Sequence, residues 1–251
     1  MGLPVVLVHG MRTSRTMWRA QVDALERAGH VAVAVDLPGH GERAGEPFLL
    51  DEAVATVRRA VDGVGGRALV VGLSLGGYVG IAHAARHPDQ VAGLVAAGCS
   101  SRPRRLLVGG WSLAARGIVR LPDHGAGLNA FMVRRFLPAQ GAVDIGAGGF
   151  ALLVTEEVLR EVARSSPVDD LARIQAPVWL VNGRFDHFRG DERLFLRACR
   201  DGRLVVVPGA THLVSVVAPE RFSRVVLEAL DEVERRPAGA VAPAGEVPMT
   251  R

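Results

Sequence analysis

The feature that most constrains this chain is a serine flanked by glycines at the end of an apolar run, Gly72-Leu73-Ser74-Leu75-Gly76. The apolar, β-branched residues that start at Ala68 are typical of a buried strand, and a stretch rich in small residues follows at once, which predicts a helix. A sharp turn from strand to helix brings backbone segments close together, which small residues on both sides of the serine permit. The pattern predicts a serine hydroxyl at the carboxyl end of a sheet, close to the N–H groups of a helix N-terminus.

The remainder of the chain alternates apolar runs with segments of helical periodicity. Ser14 is placed to cap one helix, and Pro219 to open the last one. Continuous apolar strands separated by helices are typical of a parallel sheet that is covered on both faces. We therefore predict an α/β fold with a mostly parallel central sheet of about six strands and helices on both faces. The predicted strands cover residues 4–8, 31–35, 68–73, 91–97, 177–181 and 204–207.

Two regions interrupt this alternation. Residues 102–166 contain no clear strand and are too many for a plain connection in a compact domain, so we expect an inserted helical cap there. Residues 1–101 and 167–236 would then form the α/β core. The tail, residues 237–251, consists largely of Pro, Ala and Gly with little apolar bulk, and we expect it to be disordered.

At 251 residues the chain is long enough for one α/β domain with a sizeable core. Its basic residues are all arginine, and a net charge of +4 is weak support for a nucleic-acid partner, so we expect none. Cys99 and Cys199 lie far apart without metal-ligand spacing, which favours free thiols in a reducing compartment. No targeting segment or membrane span is recognisable, so we expect a cytoplasmic protein with a small-molecule substrate and no membrane partner. The sequence leaves the oligomeric state open.

A serine hydroxyl is a weak nucleophile at neutral pH and requires a base that accepts its proton. His212 follows the apolar run 204–207 by a Pro-Gly turn, so its ring can reach the carboxyl end of the sheet. The chain has eight histidines, and on position alone His212 competes with the other seven. Of these, His187 lies beside an acidic residue near the same edge, whereas His9 and His40 belong to turns that look structural.

The base in turn needs an acid that orients its ring and stabilises its cationic form. Two aspartates follow predicted strands: Asp186 comes a short loop after residues 177–181, and Asp36 directly follows residues 31–35. The Leu-Pro-Gly sequence after Asp36 suggests that its carboxylate caps a turn. The sequence therefore favours Asp186 and keeps Asp36 as the alternative.

Five short motifs occur in order along the chain. They are Leu7-Val8-His9-Gly10, Asp36-Leu37-Pro38-Gly39-His40-Gly41, Gly72-Leu73-Ser74-Leu75-Gly76, Gly183-Arg184-Phe185-Asp186 and Gly209-Ala210-Thr211-His212. With these motifs the chain resembles the α/β-hydrolase fold family over about residues 4–230. The order serine, acid, histidine is the family's own, so the resemblance implies the α/β-hydrolase fold with an inserted helical cap.

The resemblance also implies a role for residues of these motifs. Ser74 would be the nucleophile, His212 the general base and Asp186 the acid of a catalytic triad. By the same resemblance, the backbone N–H groups of Leu75 and Met11 would form an oxyanion hole. The resemblance implies no cofactor and no metal ion for this chemistry.

Branches of the family differ at the nucleophile, since dehalogenases and most epoxide hydrolases of this fold carry an aspartate where this chain has Ser74. The resemblance therefore implies a cofactor-free serine hydrolase for an ester, thioester or lactone with a small-to-medium apolar part. Two alternatives stay open, namely elimination or cyclisation in the same pocket, and ligand binding without hydrolysis. The candidates for the substrate pocket are His9, Trp111, Phe131, Phe136 and His187.

Overall fold

The computed structural model describes residues 2–103, 117–118 and 120–236. Its centre is a parallel sheet of six strands in the order β2-β1-β3-β4-β5-β6, counted over these residues. The predicted α/β architecture with a parallel central sheet is confirmed. The strands are β1 (Val5–Val8), β2 (Ala32–Val35), β3 (Ala68–Leu73), β4 (Val91–Ala97), β5 (Val178–Gly183) and β6 (Gly202–Val207).

Helices connect the strands and cover the sheet on both sides. Ser14 caps the first of them as predicted, because its hydroxyl accepts a hydrogen bond from the Thr16 N–H, although the first turn is a 3₁₀ helix over Arg15–Trp18. The α-helices are α1 (Arg19–Arg27), α2 (Leu50–Gly63), α3 (Leu75–Arg86), α4 (Ala126–Phe136), α5 (Ala139–Ala147), α6 (Thr155–Arg164), α7 (Pro167–Leu171), α8 (Glu192–Ala198), α9 (Val214–Val217) and α10 (Pro219–Arg235).

The sheet has a separate apolar core on each face, because successive strand residues point to opposite sides. In β1, Val6 and Val8 pack into the core that α2, α3 and α8 cover. Val5 and Leu7 of the same strand pack into the other core, which α1 and α10 cover. The continuous apolar strands of the sequence are therefore explained by burial on both faces.

The longest described helix, α10, has 17 residues and is amphipathic. It buries Phe222, Val226 and Leu230 against the sheet, which is the apolar stripe expected at helical spacing. Its other side carries charged residues. None of the described helices is long and apolar enough to cross a bilayer.

Between β4 and β5 the described residues form helices and no strand. Helix α6 is tied to the core by two carboxylates one helical turn apart. Glu157 accepts a hydrogen bond of 2.8 Å from the Phe48 N–H, and Glu161 accepts one of 3.2 Å from the Leu50 N–H at the start of α2. The second bond satisfies one of the backbone donors that the start of α2 leaves open. The division into core, cap at 102–166 and tail stays a prediction, and the tail lies outside the described residues.

A buried histidine on α3 predicts that the fold loses stability in acid. His83 is fully buried, neither of its ring nitrogens has a hydrogen-bond partner within the described part of the chain, and its ring lies 5.2 Å from that of His87. Burial and the neighbouring His87 lower the pKa of His83 from 6.5 to about 4. Because the unfolded chain binds this proton at a higher pH than the folded chain, the unfolding free energy decreases as the pH falls through that window.

We expect a loss of about 2 kcal/mol in unfolding free energy from this group between about pH 7.5 and about pH 5. The substitution His83→Leu removes the titrating ring, so the variant should lose correspondingly less stability over the same interval. Urea denaturation of both proteins at the two pH values measures the difference. Equal pH dependence of the two proteins would contradict the assignment.

Candidate active site

The turn between β3 and α3 holds Ser74 in an unusual backbone conformation, with φ 54° and ψ −113°. A Cβ added at Gly72 would lie 2.1 Å from the carbonyl oxygen of Gly76, and one added at Gly76 would lie 2.0 Å from the carbonyl oxygen of Val8. No side chain fits at either position. The two glycines therefore permit the close approach that the motif predicted, and they hold the serine at the carboxyl end of the sheet.

The structure brings the three predicted triad residues together. The Ser74 hydroxyl lies 3.0 Å from Nε2 of His212, and Nδ1 of the same ring lies 3.1 Å from Oδ1 of Asp186. The Asp186 side chain is fully buried, whereas 20% of the His212 side chain is exposed. The arrangement is a hydrogen-bonded chain that runs from a buried carboxylate to a hydroxyl at the surface of the site.

The loops after β5 and β6 meet because Gly183 leaves room for them. A Cβ added at Gly183 would lie 2.2 Å from the carbonyl oxygen of Thr211. Beyond this contact, the Phe185 N–H donates a hydrogen bond of 2.9 Å to the Ala210 carbonyl. The glycine at the start of the Gly183–Asp186 motif thus brings the acid and the histidine to the same place.

The Asp186 carboxylate is held in its charged form by its hydrogen bonds. Burial by itself raises the pKa of Asp186, but the hydrogen bond and charge of His212 and the Phe188 N–H at 2.8 Å outweigh burial and place the pKa below its ordinary value. A carboxylate can only accept hydrogen bonds, so His212 carries its proton on Nδ1. Nε2 of His212 is then the acceptor for the Ser74 hydroxyl.

The loop after β4 is fixed beside this acid. Gly98 has φ +59°, and a Cβ added there would lie 3.2 Å from Nδ1 of His212 and 3.3 Å from Oδ2 of Asp186. The Tyr78 hydroxyl donates a hydrogen bond of 2.6 Å to the Ser101 carbonyl, which ties the loop to α3. The backbone of this loop therefore forms one wall around the histidine and the carboxylate.

Asp36, the alternative acid, has other partners. Its carboxylate accepts hydrogen bonds from the backbone N–H groups of Arg15 and Glu42, and it forms an ion pair of 2.9 Å with the Arg15 guanidinium. These contacts stabilise the turn that follows β2, as the Leu-Pro-Gly sequence suggested. Asp36 forms no described contact with His212.

His9 was a candidate for the substrate pocket, and the structure corrects this assignment. The residue is fully buried; its Nδ1 lies 2.8 Å from the Gly10 carbonyl, and its Nε2 accepts a hydrogen bond of 3.0 Å from the Leu37 N–H. Burial and the nearby His40 lower the pKa of His9 to about 3. The ring is a neutral brace between the loops after β1 and β2, and it does not face a substrate.

The two predicted oxyanion donors lie on either side of the serine. Leu75 is the first residue of α3, and Met11 follows Gly10 in a turn closed by a Thr13 N–H to Gly10 carbonyl bond of 3.3 Å. Within the described residues, neither the Leu75 N–H nor the Met11 N–H donates to another group. Both donors are therefore available to an acceptor in the site, and the N-terminal dipole of α3 favours a negative one.

The same turn places Arg12 at φ 66°, a left-handed conformation that favours glycine. For a residue with a side chain this conformation costs about 1 kcal/mol or more. The sequence gives no signal of this strain, because arginine is not a typical residue for the position.

The aromatic pocket candidates on α4 do not enclose the site. Phe131 is 56% exposed and Phe136 is 64% exposed. The residue of this helix that packs on the core is Val133 instead. A helix buries only one face, and the sequence did not indicate which apolar residues of α4 lie on it. Trp111, the fourth pocket candidate, lies outside the described residues.

His187, the remaining candidate, does lie at the site, together with an aromatic residue that the sequence analysis missed. The ring centroids of His187 and Phe188 lie 5.1 Å and 4.8 Å from that of His212. Burial and His212 lower the pKa of His187, against an opposite effect of Asp186. The Phe188 N–H donates to the Asp186 carboxylate in an Asx turn. An aspartate followed two residues later by an aromatic residue was therefore the sequence signal that could have identified Phe188.

Comparisons with known proteins agree with this fold. A family model described as the alpha/beta hydrolase family matches residues 5–225. The pimeloyl-[acyl-carrier protein] methyl ester esterase of Neisseria meningitidis serogroup A is 29% identical over 251 residues, covering 94% of this chain and 79% of that protein. The protein of the same name from serogroup C is 30% identical over 235 residues, covering 87% and 90%. A solved structure of a thermophilic esterase from Thermogutta terrifontis with malate bound has a TM-score of 0.77 at 27% identity, covering 93% of this chain and 91% of that chain.

The turn at Ser74 generates a test of its backbone packing. Gly72→Ala and Gly76→Ala each place a methyl group about 2 Å from a backbone oxygen, so each should lower the unfolding free energy by about 3 kcal/mol or more. Gly63→Ala on α2 is the matched control, because a Cβ added there meets nothing within 4 Å. Urea denaturation measures all three variants. If the Gly72 and Gly76 variants are as stable as the control, the described packing is wrong.

Proposed function

The chain belongs to the alpha/beta hydrolase family, and we propose that it is a cofactor-free serine hydrolase that cleaves a carboxylic ester through an acyl-enzyme. The observation that carries the proposal is the hydrogen-bonded chain from Ser74 Oγ through His212 to Asp186, with distances of 3.0 Å and 3.1 Å. Such a chain supplies a nucleophile, a base and an orienting acid within one site.

In the proposed acylation step, Nε2 of His212 accepts the hydroxyl proton while Oγ of Ser74 attacks the ester carbonyl carbon. The negative charge that develops on the carbonyl oxygen is stabilised by the N–H groups of Leu75 and Met11. One such donor typically contributes about 3 kcal/mol to transition-state stabilisation. His212 then protonates the departing alcohol, and the acyl group remains on Ser74.

In the second step a water molecule takes the place of the alcohol. His212 accepts a proton from water, the hydroxide attacks the acyl carbonyl, and Ser74 leaves with the proton returned from His212. Asp186 takes no proton in either step. Its buried charge keeps the His212 proton on Nδ1 and stabilises the imidazolium that forms twice per turnover.

The relatives favour an ester over the thioesters and lactones that the sequence analysis also considered. Both Neisseria proteins are named as esterases of a methyl ester, and the Thermogutta protein is described as an esterase. We therefore propose an ester of a small alcohol as the substrate class. The substrate is a small molecule or a small acyl group presented to the site.

The nucleophile assignment predicts that Ser74→Ala lowers kcat/KM for short p-nitrophenyl esters by at least about a thousandfold, because no other hydroxyl replaces Oγ. A fluorophosphonate probe should label the natural protein and leave this variant unlabelled. Ser165→Ala is the matched control, since the Ser165 hydroxyl donates to the Val162 carbonyl at the end of α6, away from His212. Labelling that is equal in all three proteins would contradict the assignment.

Dehydrated or cyclised products without water incorporation would instead support elimination or cyclisation.

The acid assignment predicts that Asp186→Asn lowers kcat by about three to four orders of magnitude, because the amide no longer holds His212 in the productive tautomer. The comparison variant is Asp36→Asn, which loosens the turn at Arg15 and Glu42 and should affect the unfolding free energy more than kcat. Steady-state kinetics with a short ester, together with urea denaturation, separates the two effects. Full activity of Asp186→Asn would assign the acid elsewhere, with Asp36 as the next candidate.

A further inference from the structure

Arg12 lies in the turn that packs against Ser74 through Gly10, and the proposed mechanism does not use its side chain. It follows Met11 in the turn after β1, and it adopts φ 66° where glycine would be unstrained. A Cβ added at Gly10, in the same turn, would lie 3.6 Å from Cβ of Ser74. The turn that carries Arg12 therefore lies against the serine, and a strained residue in such a place is a reason to look for a function.

Among the described residues, the Arg12 guanidinium has one hydrogen-bond partner and forms no ion pair with a carboxylate. Its Nε donates a bond of 3.2 Å to the Thr155 hydroxyl, and its two terminal nitrogens donate to no group among the described residues. Of the undescribed residues, those between β4 and β5 (104–116 and 119) contain no Asp or Glu. The side chain is partly buried, and this burial lowers the pKa of Arg12 below its ordinary value. Within the described part of the chain, its positive charge is thus partly desolvated and has no acidic partner.

Three other arginines of the chain have acidic partners, whereas Arg12 has none among the described residues. Arg15, Arg43 and Arg189 each form an ion pair with an acidic side chain, Arg15 with Asp36 at 2.9 Å and Arg189 with Glu192 at 2.7 Å. A partly buried guanidinium without such a partner is unfavourable unless a ligand supplies the negative charge.

Thr155 holds the guanidinium in a defined orientation. Its hydroxyl donates a bond of 2.8 Å to the Leu152 carbonyl, so the oxygen is left to accept from Arg12. Thr155 begins α6, which Glu157 and Glu161 tie to the core. The hydrogen bond to Thr155 therefore fixes the Arg12 guanidinium relative to α6. Its two terminal nitrogens then form a pair of parallel donors, which is the geometry that matches a carboxylate.

We infer that Arg12 binds a carboxylate on the substrate, so that the ester cleaved at Ser74 belongs to a molecule with a second, free acid group. The inference rests on the proposed ester hydrolysis and deepens it by naming the substrate class. A monoester of an alkanedioic acid has this chemistry, with the ester carbonyl at Ser74 and the distal carboxylate at Arg12. A carboxylate is favoured over a phosphate because its single charge balances the one guanidinium.

Binding is tested first without turnover. Calorimetric titration of Ser74→Ala with succinate, glutarate and adipate should give measurable binding that depends on chain length. Adding Arg12→Met, which keeps the length of the side chain and removes its charge, should weaken the tightest of these by at least about tenfold. Adding Arg12→Lys should weaken it less, because lysine keeps the charge but not the two parallel donors.

The control for this titration is Arg173→Met, a change at an arginine that is 69% exposed and paired with Asp170 at 3.4 Å. This variant should retain the affinity. Equal weakening by Arg173→Met and Arg12→Met, or no binding of any dicarboxylate to Ser74→Ala, would overturn the inference. Inorganic phosphate that binds as tightly as the best dicarboxylate would overturn the carboxylate assignment.

Turnover provides the second readout. The ratio of kcat/KM for p-nitrophenyl hemiglutarate to kcat/KM for p-nitrophenyl butyrate should fall by at least about tenfold in Arg12→Met. An unchanged ratio, with both esters slowed equally or only stability lost, would mean that Arg12 merely braces α6 through Thr155. Failure of the natural protein to cleave either ester would instead refute the proposed hydrolysis. The calorimetric titration does not require turnover, so its result tests the carboxylate site independently.

Discussion

The site depends on the contact between the backbone of α3 and the end of β1. The Cα of Gly76 lies so close to the Val8 carbonyl that not even a methyl group fits between them, and Gly72 stands in the same relation to Gly76. This packing forces the chain through Ser74 with a positive φ. The backbone of Ser74 is therefore held next to the start of α3, where the Leu75 N–H is available to an acceptor.

The parallel sheet extends this constraint to the other residues of the site. All six described strands run in the same direction, so the loops that follow β1, β3, β5 and β6 leave the sheet at one edge. Asp186 and His212 come from neighbouring strands, and Gly183 removes the side chain that would separate their loops. Residues far apart in the chain meet because strand order, not sequence distance, determines which loops are adjacent.

Histidines in this protein differ in function because their partners differ. His212 stands between a buried carboxylate and a hydroxyl. His9 receives a backbone N–H on one nitrogen, and His83 has no described partner, so burial keeps both rings neutral. A histidine can become a cation during turnover only where a negative group offsets the loss of water. Asp186 provides this group for His212, with which it shares a hydrogen bond.

Local patterns in the sequence predicted the strands, the turn at Ser74 and the candidates His212 and Asp186, because apolar runs, glycines and short turns are signals within short stretches of chain. Contacts between distant segments bury His9, leave Phe131 exposed and pair Asp36 with Arg15. Periodicity indicates that a face is apolar but not which element covers it. Two further features depend on which segments meet. They are the lack of an acidic partner for Arg12 among the described residues and the contacts of the α6 carboxylates with the Phe48 and Leu50 N–H groups. They are set by packing between distant segments.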